Sequence, residues 1–271
     1  MADAVRQMLE NAGMTLEPCG GIGIGSPGTI DAKQGVILYS NNFGWENVPI
    51  VEELKKHLDT RIEIANDADA AALGEVCAGA AEGAENAVLL TLGTGVGSGV
   101  ILDKKIFRGA MPGGCELGHL SIRYDGIRCT CGRKGCLEAY ASASALLRIA
   151  REKAAEHPES IMNEMCGNDL EQMNGKIPFD AAKAGDEAGM ETVKEYEGYL
   201  ACGIANVINT FRPEKVILGG GVAAQKDNLT APLKDLVKDM CFGGSHGHIA
   251  DIVTSVLGND AGIIGAANLV V

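Results

Sequence analysis

A short polar segment, residues 113–138, contains three cysteines, a histidine and two glutamates. Cys129, Cys131 and Cys136 lie among Arg, Lys, Thr and Gly, so burying them as small apolar side chains would also bury charged neighbours. Thiolates on such a loop suit zinc, and His119 supplies the nearest nitrogen. The segment therefore predicts a closed, structural zinc site; a disulfide or unpaired thiols are the alternatives.

Asn66 and Asp67 form a second polar pair, placed where a β-rich run ends and an alanine-rich helix begins. Both residue types are favoured helix caps. A carboxylate at a strand end can also act as a general base, with the amide of Asn66 holding the same substrate. The residues alone leave both interpretations open. Together with Glu116 and Glu138, Asp67 suits a neutral polyol, whose hydroxyls donate to carboxylates.

Two glycine-rich turns follow apolar runs. The first, LTLGTGVGSGV at residues 90–100, can expose backbone N–H groups and the Thr94 hydroxyl to an anion. The second, VILGGGVA at residues 216–223, would let a nucleotide approach the backbone. Glycines required only by tight turns are the alternative, since neither segment has the P-loop or dinucleotide-binding spacing.

The elements that must position these residues alternate between strand and helix patterns. Apolar runs predict strands near 21–25, 35–38, 61–65, 87–92, 98–102, 215–218 and 252–255. Helical patterns cover 1–12, 49–58, 67–80, 137–155, 187–211, 229–240 and 261–269, with a helical insertion at 156–175. Gly13 is the expected stop of the first helix. This order predicts an α/β protein that also contains β-hairpins.

Composition limits the partners. A hydrophobic content of 46% with 37 glycines is typical of an α/β protein with many tight turns. The 4% aromatic content and the net charge of -13 argue against nucleic acid and membrane surfaces as partners. Nine cysteines without a secretory leader indicate a reducing, cytoplasmic location. The His246–His248 pair is typical of a solvated loop and receives no role.

In their order along the chain these motifs resemble those of the ROK-family sugar kinases, in particular the bacterial ATP-dependent glucokinase branch. The resemblance covers nearly the whole chain. Besides the two glycine turns, it rests on GIGIGSPGTID at 21–31, NNFGWENVPI at 41–50, IEIANDADAAALGE at 62–75, ELGH at 116–119, CTCGRKGCLE at 129–138 and GNDAGIIGAA at 258–267.

The resemblance implies an actin-like, hexokinase-type (ribonuclease H-like) α/β fold of two domains around a cleft. Residues 1–82 are expected to form a partial small domain that a C-terminal helix at about 260–271 completes. Residues 83–259 are expected to form the large domain, which carries the zinc loop 113–138. A homo-oligomer, either a dimer or a tetramer, is expected.

The implied reaction is ATP-dependent phosphorylation of a hexose, foremost glucose to glucose 6-phosphate, with Mg²⁺ and a structural Zn²⁺. Asp67 is the implied base. The implied sugar contacts are Gly28, Asn66, Asp67, Glu116, His119 and Glu138. The implied nucleotide contacts are Gly93, Thr94, Gly95, Gly97, Gly219, Gly220 and Gly221. The implied zinc ligands are His119, Cys129, Cys131 and Cys136. A catalytically impaired sugar-binding protein and a sugar-sensing repressor are the alternatives.

The chain departs from the family pattern at its front. Family sugar kinases begin with a strand, an Asp-x-Gly-Gly-Thr phosphate turn and two further strands, and no such segment occurs in these 271 residues. The chain is therefore expected to be a truncated fragment or mis-started reading frame of an active kinase, or one that another chain completes. Alone it should bind zinc and sugar, phosphorylate poorly, and self-associate through the strand edge left open.

Overall fold

A computed structural model describes residues 1–247 and 249–271. His248 of the His246–His248 pair lies outside the described residues. The strands are β1 Ile22–Ser26, β2 Thr29–Asp31, β3 Val36–Ser40, β4 Trp45–Val48, β5 Ile62–Asn66, β6 Ala87–Leu92, β7 Val96–Leu102, β8 Lys105–Ile106, β9 Lys215–Gly219 and β10 Asp251–Thr254. The helices are α1 Ala2–Ala12, α2 Ile50–Lys55, α3 Asp67–Ala78, α4 Glu138–Ala141, α5 Ala143–Glu156, α6 Ile161–Met165, α7 Ile177–Lys183, α8 Glu187–Phe211, α9 Asp227–Met240 and α10 Asp260–Ala267.

These strands form three sheets. β1 and β5 pair in parallel, with Ser26 opposite Asn66. β2, β3 and β4 form an antiparallel meander. The third sheet has the order β10-β9-β6-β7-β8, in which β9 and β10 are parallel and β7 and β8 antiparallel. The predicted α/β class is confirmed.

Most predicted elements are present, with two differences. The helix predicted over 137–155 is interrupted, because the Ser142 hydroxyl accepts a hydrogen bond from the N–H of Ala145 and starts α5 anew. The insertion predicted at 156–175 contains α6 and a 3₁₀ turn, and the helical structure continues through α7. The short strands β2, β4 and β8 were not predicted, because so few residues show no clear alternation.

Two compact units are formed by different parts of the chain. The first comprises residues 1–89, 99–115 and 256–271, and the second comprises residues 90–98 and 116–255. The division expected near residues 82 and 259 stays a prediction. The units differ from it mainly because residues 99–115 lie in the first, where Gly99 of β7 packs directly on Ala68 of α3.

In the first unit, α3 and α10 pack closely through small residues. A side chain at Gly265 would overlap the carbonyl of Ala70, and one at Gly74 would overlap the carbonyl of Ala261. Close approach of the two backbones therefore requires glycine at both positions. This packing fixes the axis of α3, whose first turn carries the polar residues predicted to act on substrate.

Glu75 ties α3 to the segment that follows β10. Its side chain is fully buried. One carboxylate oxygen accepts a hydrogen bond from the N–H of Ala80 at 2.7 Å, and the other accepts from the N–H groups of Val256 at 3.2 Å and Leu257 at 3.0 Å. A buried carboxylate that accepts several N–H bonds stabilises the fold strongly, because its removal leaves those donors without acceptors.

We expect Glu75→Ala to lower the free energy of unfolding by about 3–5 kcal/mol, since three backbone N–H groups lose a buried carboxylate acceptor. Glu82→Ala, at an exposed position four residues beyond the helix end, is the control. Denaturant unfolding followed by circular dichroism measures both. Equal stability of the two variants would contradict the role given to Glu75.

The second unit is built around α8, whose buried residues include Tyr196 and Glu197. The Tyr196 hydroxyl donates to the carbonyl of Ala141 at 2.8 Å. Glu197 is only 6% exposed, and its Oε1 atom has no hydrogen-bond partner among the described residues. Burial raises the pKa of Glu197 to about 7.

None of the described helices, α8 included, combines the length and the apolar character needed to cross a membrane.

This buried carboxyl predicts a pH-dependent effect of Glu197→Gln. Between its ordinary pKa of 4.5 and about 7, the native protein holds a proton that the unfolded chain has released, so wild-type stability falls as pH rises. The amide of the variant does not ionise. We expect the variant and the wild type to have similar Tm values at pH 5, and the variant to be more stable at pH 8 by up to about 3 kcal/mol.

Thermal unfolding of Glu197→Gln at both pH values checks this expectation. Glu195→Gln, at an exposed position on the same helix, is the matched control and should show no such dependence. A Tm difference between Glu197→Gln and wild type that does not change with pH would count against an ionising, buried Glu197.

Candidate active site

Asn66 joins the start of α3 to the turn between β1 and β2. Its Oδ1 atom accepts from the N–H of Ala68 at 2.8 Å and so caps the helix, while its Nδ2 atom donates to the carbonyl of Gly28 at 3.1 Å. Gly28 has a φ of 115°, and a side chain there would overlap the carbonyl of Tyr39. The cap interpretation of Asn66 is therefore correct, and the side chain also fixes the Gly28 turn.

Asp67 follows as the first residue of α3. Its side chain is exposed, and its Oδ1 atom also accepts from the N–H of Ala68, at 2.9 Å. The structure thus presents an exposed carboxylate, held by its own helix, at the carboxyl end of β5.

In the second unit, His119, Cys129, Cys131 and Cys136 bring their ligand atoms within 4.8 Å of one another. Cys129 Sγ lies 3.7 Å from His119 Nδ1, and Cys131 Sγ lies 3.7 Å from Cys136 Sγ. Tetrahedral zinc with Zn–S bonds of about 2.3 Å has ligand-to-ligand edges of about 3.8 Å. The donor atoms therefore fit zinc in both chemistry and spacing, and none of the three cysteines takes part in a disulfide.

Backbone hydrogen bonds shape the segment that carries these ligands. The N–H of Cys129 donates to the carbonyl of Arg133 at 2.8 Å, and the N–H of Gly132 donates back to the carbonyl of Cys129 at 2.9 Å. The N–H of Leu137 bonds the carbonyl of Leu120 at 2.8 Å, beside an isolated bridge between Ser121 and Cys136. These contacts hold the cysteines together without help from a helix or a long strand.

Protons compete with a metal for the sulfurs. Burial raises the pKa of the Cys129 thiol and raises that of Cys136 to about 12. A hydrogen bond from the backbone N–H of Arg133 lowers the pKa of Cys131. Metal binding must displace thiol protons, so the affinity of the cluster for zinc falls as pH falls.

Glu138 connects the cysteine cluster to the first glycine turn. One carboxylate oxygen accepts from the N–H of Val96 at 3.1 Å, and the other accepts from the hydroxyl of Thr130 at 2.9 Å and from the thiol of Cys129 at 3.3 Å. A side chain at Gly95 would overlap the carboxylate. The glycine there is thus required by close approach to Glu138, which the sequence did not indicate.

The rest of the turn between β6 and β7 is held by the start of α5. The N–H of Ala143 donates to the carbonyl of Gly93 at 2.8 Å, and the hydroxyl of Ser144 donates to the carbonyl of Thr94 at 3.0 Å. Thr94 is exposed. Carbonyls of the turn are therefore engaged by protein groups, while its outer surface stays accessible.

His119 is placed by a 3₁₀ turn, Leu117–His119, that follows Glu116. The turn packs closely against β7. A side chain at Gly118 would overlap the carbonyl of Val96, so glycine is required there. The N–H of Leu117 donates to the hydroxyl of Ser98 at 3.0 Å. Ser98 is a positioning residue that a sequence reading misses, since a serine in a strand carries no motif.

The second glycine turn follows β9. Gly220 has a φ of 80°, and a side chain there would contact the backbone of Leu92 at the end of β6. At Gly221, by contrast, an added side chain would meet no atom within 4 Å. Gly220 is explained by packing within the protein, whereas Gly221 faces open space.

The structure thus gathers the predicted site residues into two groups, one in each unit. Gly28, Asn66 and Asp67 lie together in the first. The second group contains the glycine turn, Glu138 and the cysteine cluster with His119. Each group lies entirely within its own unit. Their assigned roles in binding and catalysis stay predictions.

Comparison with known proteins identifies the family. The profile of the ROK family matches residues 1–271. The chain belongs to the ROK family. This ROK chain is 40% identical over 250 residues to a glucokinase of Thermotoga maritima, a match that covers 92% of this chain and 78% of that protein. It is also 30% identical over 240 residues to a xylose repressor of Caldicellulosiruptor bescii, covering 89% of this chain and 60% of the repressor.

A solved structure supports the fold of this ROK chain. The ROK-family glucokinase of Streptomyces griseus, crystallised with glucose and AMPPNP, is 32% identical and superimposes with a TM-score of 0.81. The match covers 99% of this chain and 86% of the other. The predicted family, the hexokinase-type fold and the enzyme class of sugar kinase are confirmed.

Proposed function

We propose that this ROK protein transfers the γ-phosphoryl group of ATP to a hydroxyl of a hexose, foremost glucose, to give glucose 6-phosphate and ADP. The observation that carries the proposal is the likeness, over 99% of the chain, to a glucokinase seen with glucose and AMPPNP. The exposed Asp67 carboxylate at a strand end gives that reaction a base.

In this proposal Asp67 accepts the proton of the reacting hydroxyl, whose oxygen attacks the γ-phosphorus as the bond to ADP breaks. Asn66 binds a neighbouring hydroxyl, and Gly28 lets the backbone approach the sugar. The hydrogen bond between Asn66 and Gly28 supports a joint role, because it gives both groups one fixed position. Mg²⁺ bound together with ATP would neutralise part of the phosphate charge.

Glu116, His119 and Glu138 are the proposed contacts of the second unit with the sugar hydroxyls. His119 Nδ1 faces the cysteine sulfurs, so Nε2 is the nitrogen left to meet a hydroxyl. His119, Cys129, Cys131 and Cys136 would hold Zn²⁺, which fixes the imidazole ring and its tautomer. Metal-bound thiolates suit the reducing cytoplasm, which is the proposed location.

For the nucleotide, Gly93, Thr94, Gly95 and Gly97 are the proposed phosphate contacts. The accessible hydroxyl of Thr94 is a suitable donor, whereas the N–H groups of Gly93 and Val96 already bond Gly95 and Glu138. Gly219, Gly220 and Gly221 are proposed to lie beside the adenosine. The open space at Gly221 supports this assignment, since nothing in the protein fills it.

Hexose-dependent release of ADP tests the proposal. The purified, zinc-loaded protein should release ADP when ATP is present with glucose, and at different rates in a panel containing N-acetylmannosamine, fructose and allose. A protein that binds hexose but neither binds ATP nor releases ADP would replace the kinase with a sugar-binding regulator. The similarity to a xylose repressor makes that regulator the second candidate.

We also propose that the chain forms homo-oligomers. Within the described residues β1 pairs only with β5, along one of its two edges. An apolar groove of about 770 Å³ lies over β1, between α1 and α10. Met8 and Ile263 line the groove and are 69% and 72% exposed. A second copy would cover this apolar surface.

Light scattering checks this expectation across a range of protein concentrations. We expect the wild-type mass to exceed that of a monomer, and Met8→Asp and Ile263→Asp to shift it toward the monomer. A monomeric mass for the wild type at every concentration would contradict the proposed homo-oligomer.

A further inference from the structure

Asp69 is a buried acidic residue beside the proposed base. It lies in the first turn of α3, two residues after Asp67, and is only 5% exposed, whereas Asp67 is exposed. Removing a carboxylate from water is unfavourable unless polar groups surround it. The buried carboxylate of Asp69 therefore depends on polar groups that the fold places around it.

The loop of residues 108–114 lies against this carboxylate. A Cβ atom built on Gly114 would be 3.1 Å from Oδ2 of Asp69 and 3.9 Å from Oδ1 and Cγ, so the carboxylate faces the Gly114 backbone. Gly113 and Gly114 have φ angles of 112° and 68°, which residues with side chains rarely adopt. The loop thus turns at the point where it meets Asp69.

The same loop forms one wall of a cavity of about 410 Å³ in the first unit. Asn66 and Asp69 line the cavity from the end of β5 and the start of α3, Asp31 lines it from β2, and Met111 and Gly114 line it from the loop. Asn66 is also the proposed sugar contact. The shape of the cavity next to Asn66 therefore depends on where the loop rests.

We propose that Asp69 is a positioning residue whose carboxylate holds loop 108–114 beside Asn66, and that hexose affinity depends on this placement. The role in hexose affinity rests on the proposed function, whereas the loop-holding role does not. The substitution Asp69→Asn tests both roles, because it preserves the shape of the side chain and removes its charge.

Limited trypsin digestion of the sugar-free protein tests the loop-holding role. Arg108 is exposed at the start of the loop. Asp69→Asn should increase the rate of cleavage after Arg108 by about fivefold or more, because a released loop opens more often. Cleavage after Arg128 should not change. Asp260→Asn, an exposed aspartate in the first turn of α10, is the control for the loss of a helix-terminal charge.

Steady-state kinetics test the role in hexose affinity. Asp69→Asn should raise the KM for hexose about tenfold while kcat and the KM for ATP change by less than about twofold. Gly114→Ala is a second variant, since its Cβ atom would displace the Asp69 carboxylate, and it should raise the same KM. Thermal unfolding confirms that each variant is folded.

The outcomes separate the two roles. Unchanged cleavage after Arg108 in folded Asp69→Asn would overturn the loop-holding role. Increased cleavage with an unchanged hexose KM would overturn the role in affinity. Absence of hexose-dependent turnover in the wild type would overturn the proposed function, while the cleavage result still decides the loop-holding role.

Discussion

Asp67→Asn is expected to lower kcat for hexose phosphorylation by about 10²–10⁴-fold, the usual contribution of a general base. The amide keeps the size of the side chain and its hydrogen bond from the N–H of Ala68, but it cannot take up the hydroxyl proton. The pair Asn66–Gly28 is untouched by the substitution. Hexose binding, measured by calorimetry, should therefore weaken by less than about tenfold.

Asp227→Asn is the matched control for this variant. Asp227 is exposed in the first turn of α9, so its replacement removes the same charge from the same kind of helix position. Coupled detection of ADP measures kcat for both variants. If Asp67→Asn kept more than a third of the wild-type kcat, Asp67 would not be the base.

Loss of the metal is the second large effect that we expect. Cys136→Ser removes a buried sulfur from the four-ligand cluster, and the bound zinc should fall from one ion per chain to nearly none. Structural zinc contributes on the order of 10 kcal/mol to local order. Without it His119 loses its fixed orientation, and hexose affinity should fall by a factor of at least about 100.

Elemental analysis and calorimetry measure these two quantities, and chelation of the wild-type metal should reproduce them. Far-ultraviolet circular dichroism should still show the helices after chelation, because α5, α8 and α9 are packed by their own apolar residues. Cys166→Ser is the control, since Cys166 is equally buried but lies outside the cluster. Unchanged hexose affinity in metal-free protein would defeat the proposed coupling of zinc to the sugar contacts.

Much of the fold follows from local sequence patterns. The predicted strand 87–92 and the predicted helix 187–211 match β6 and α8 residue for residue, because long apolar runs and sustained helical periodicity are read reliably. The interruption at Ser142 was not predicted. A serine inside a helical pattern gives no sign of whether its hydroxyl will cap a new helix.

The candidate site likewise contains residues that the sequence predicts and residues that it does not. The predicted zinc ligands His119, Cys129, Cys131 and Cys136 do lie together in space, because they are close in the sequence and their residue types are selective for metals. Asp69 was overlooked, although it lies two residues from Asp67. Asp69 is buried against Gly114, which lies 45 positions further along the chain, and no local sequence pattern predicts a contact over that distance.

The family, the α/β class, the order of the elements and the set of candidate metal-binding side chains follow from the sequence alone, because each depends on neighbours along the chain. Which groups these residues contact depends instead on how the elements pack in the folded protein. Glu138 bonds the N–H of Val96 across 42 positions, and Glu75 bonds that of Leu257 across 182. Such contacts arise because packing brings the backbone N–H groups of one segment to the carboxylate of another, and N–H groups removed from water need an acceptor.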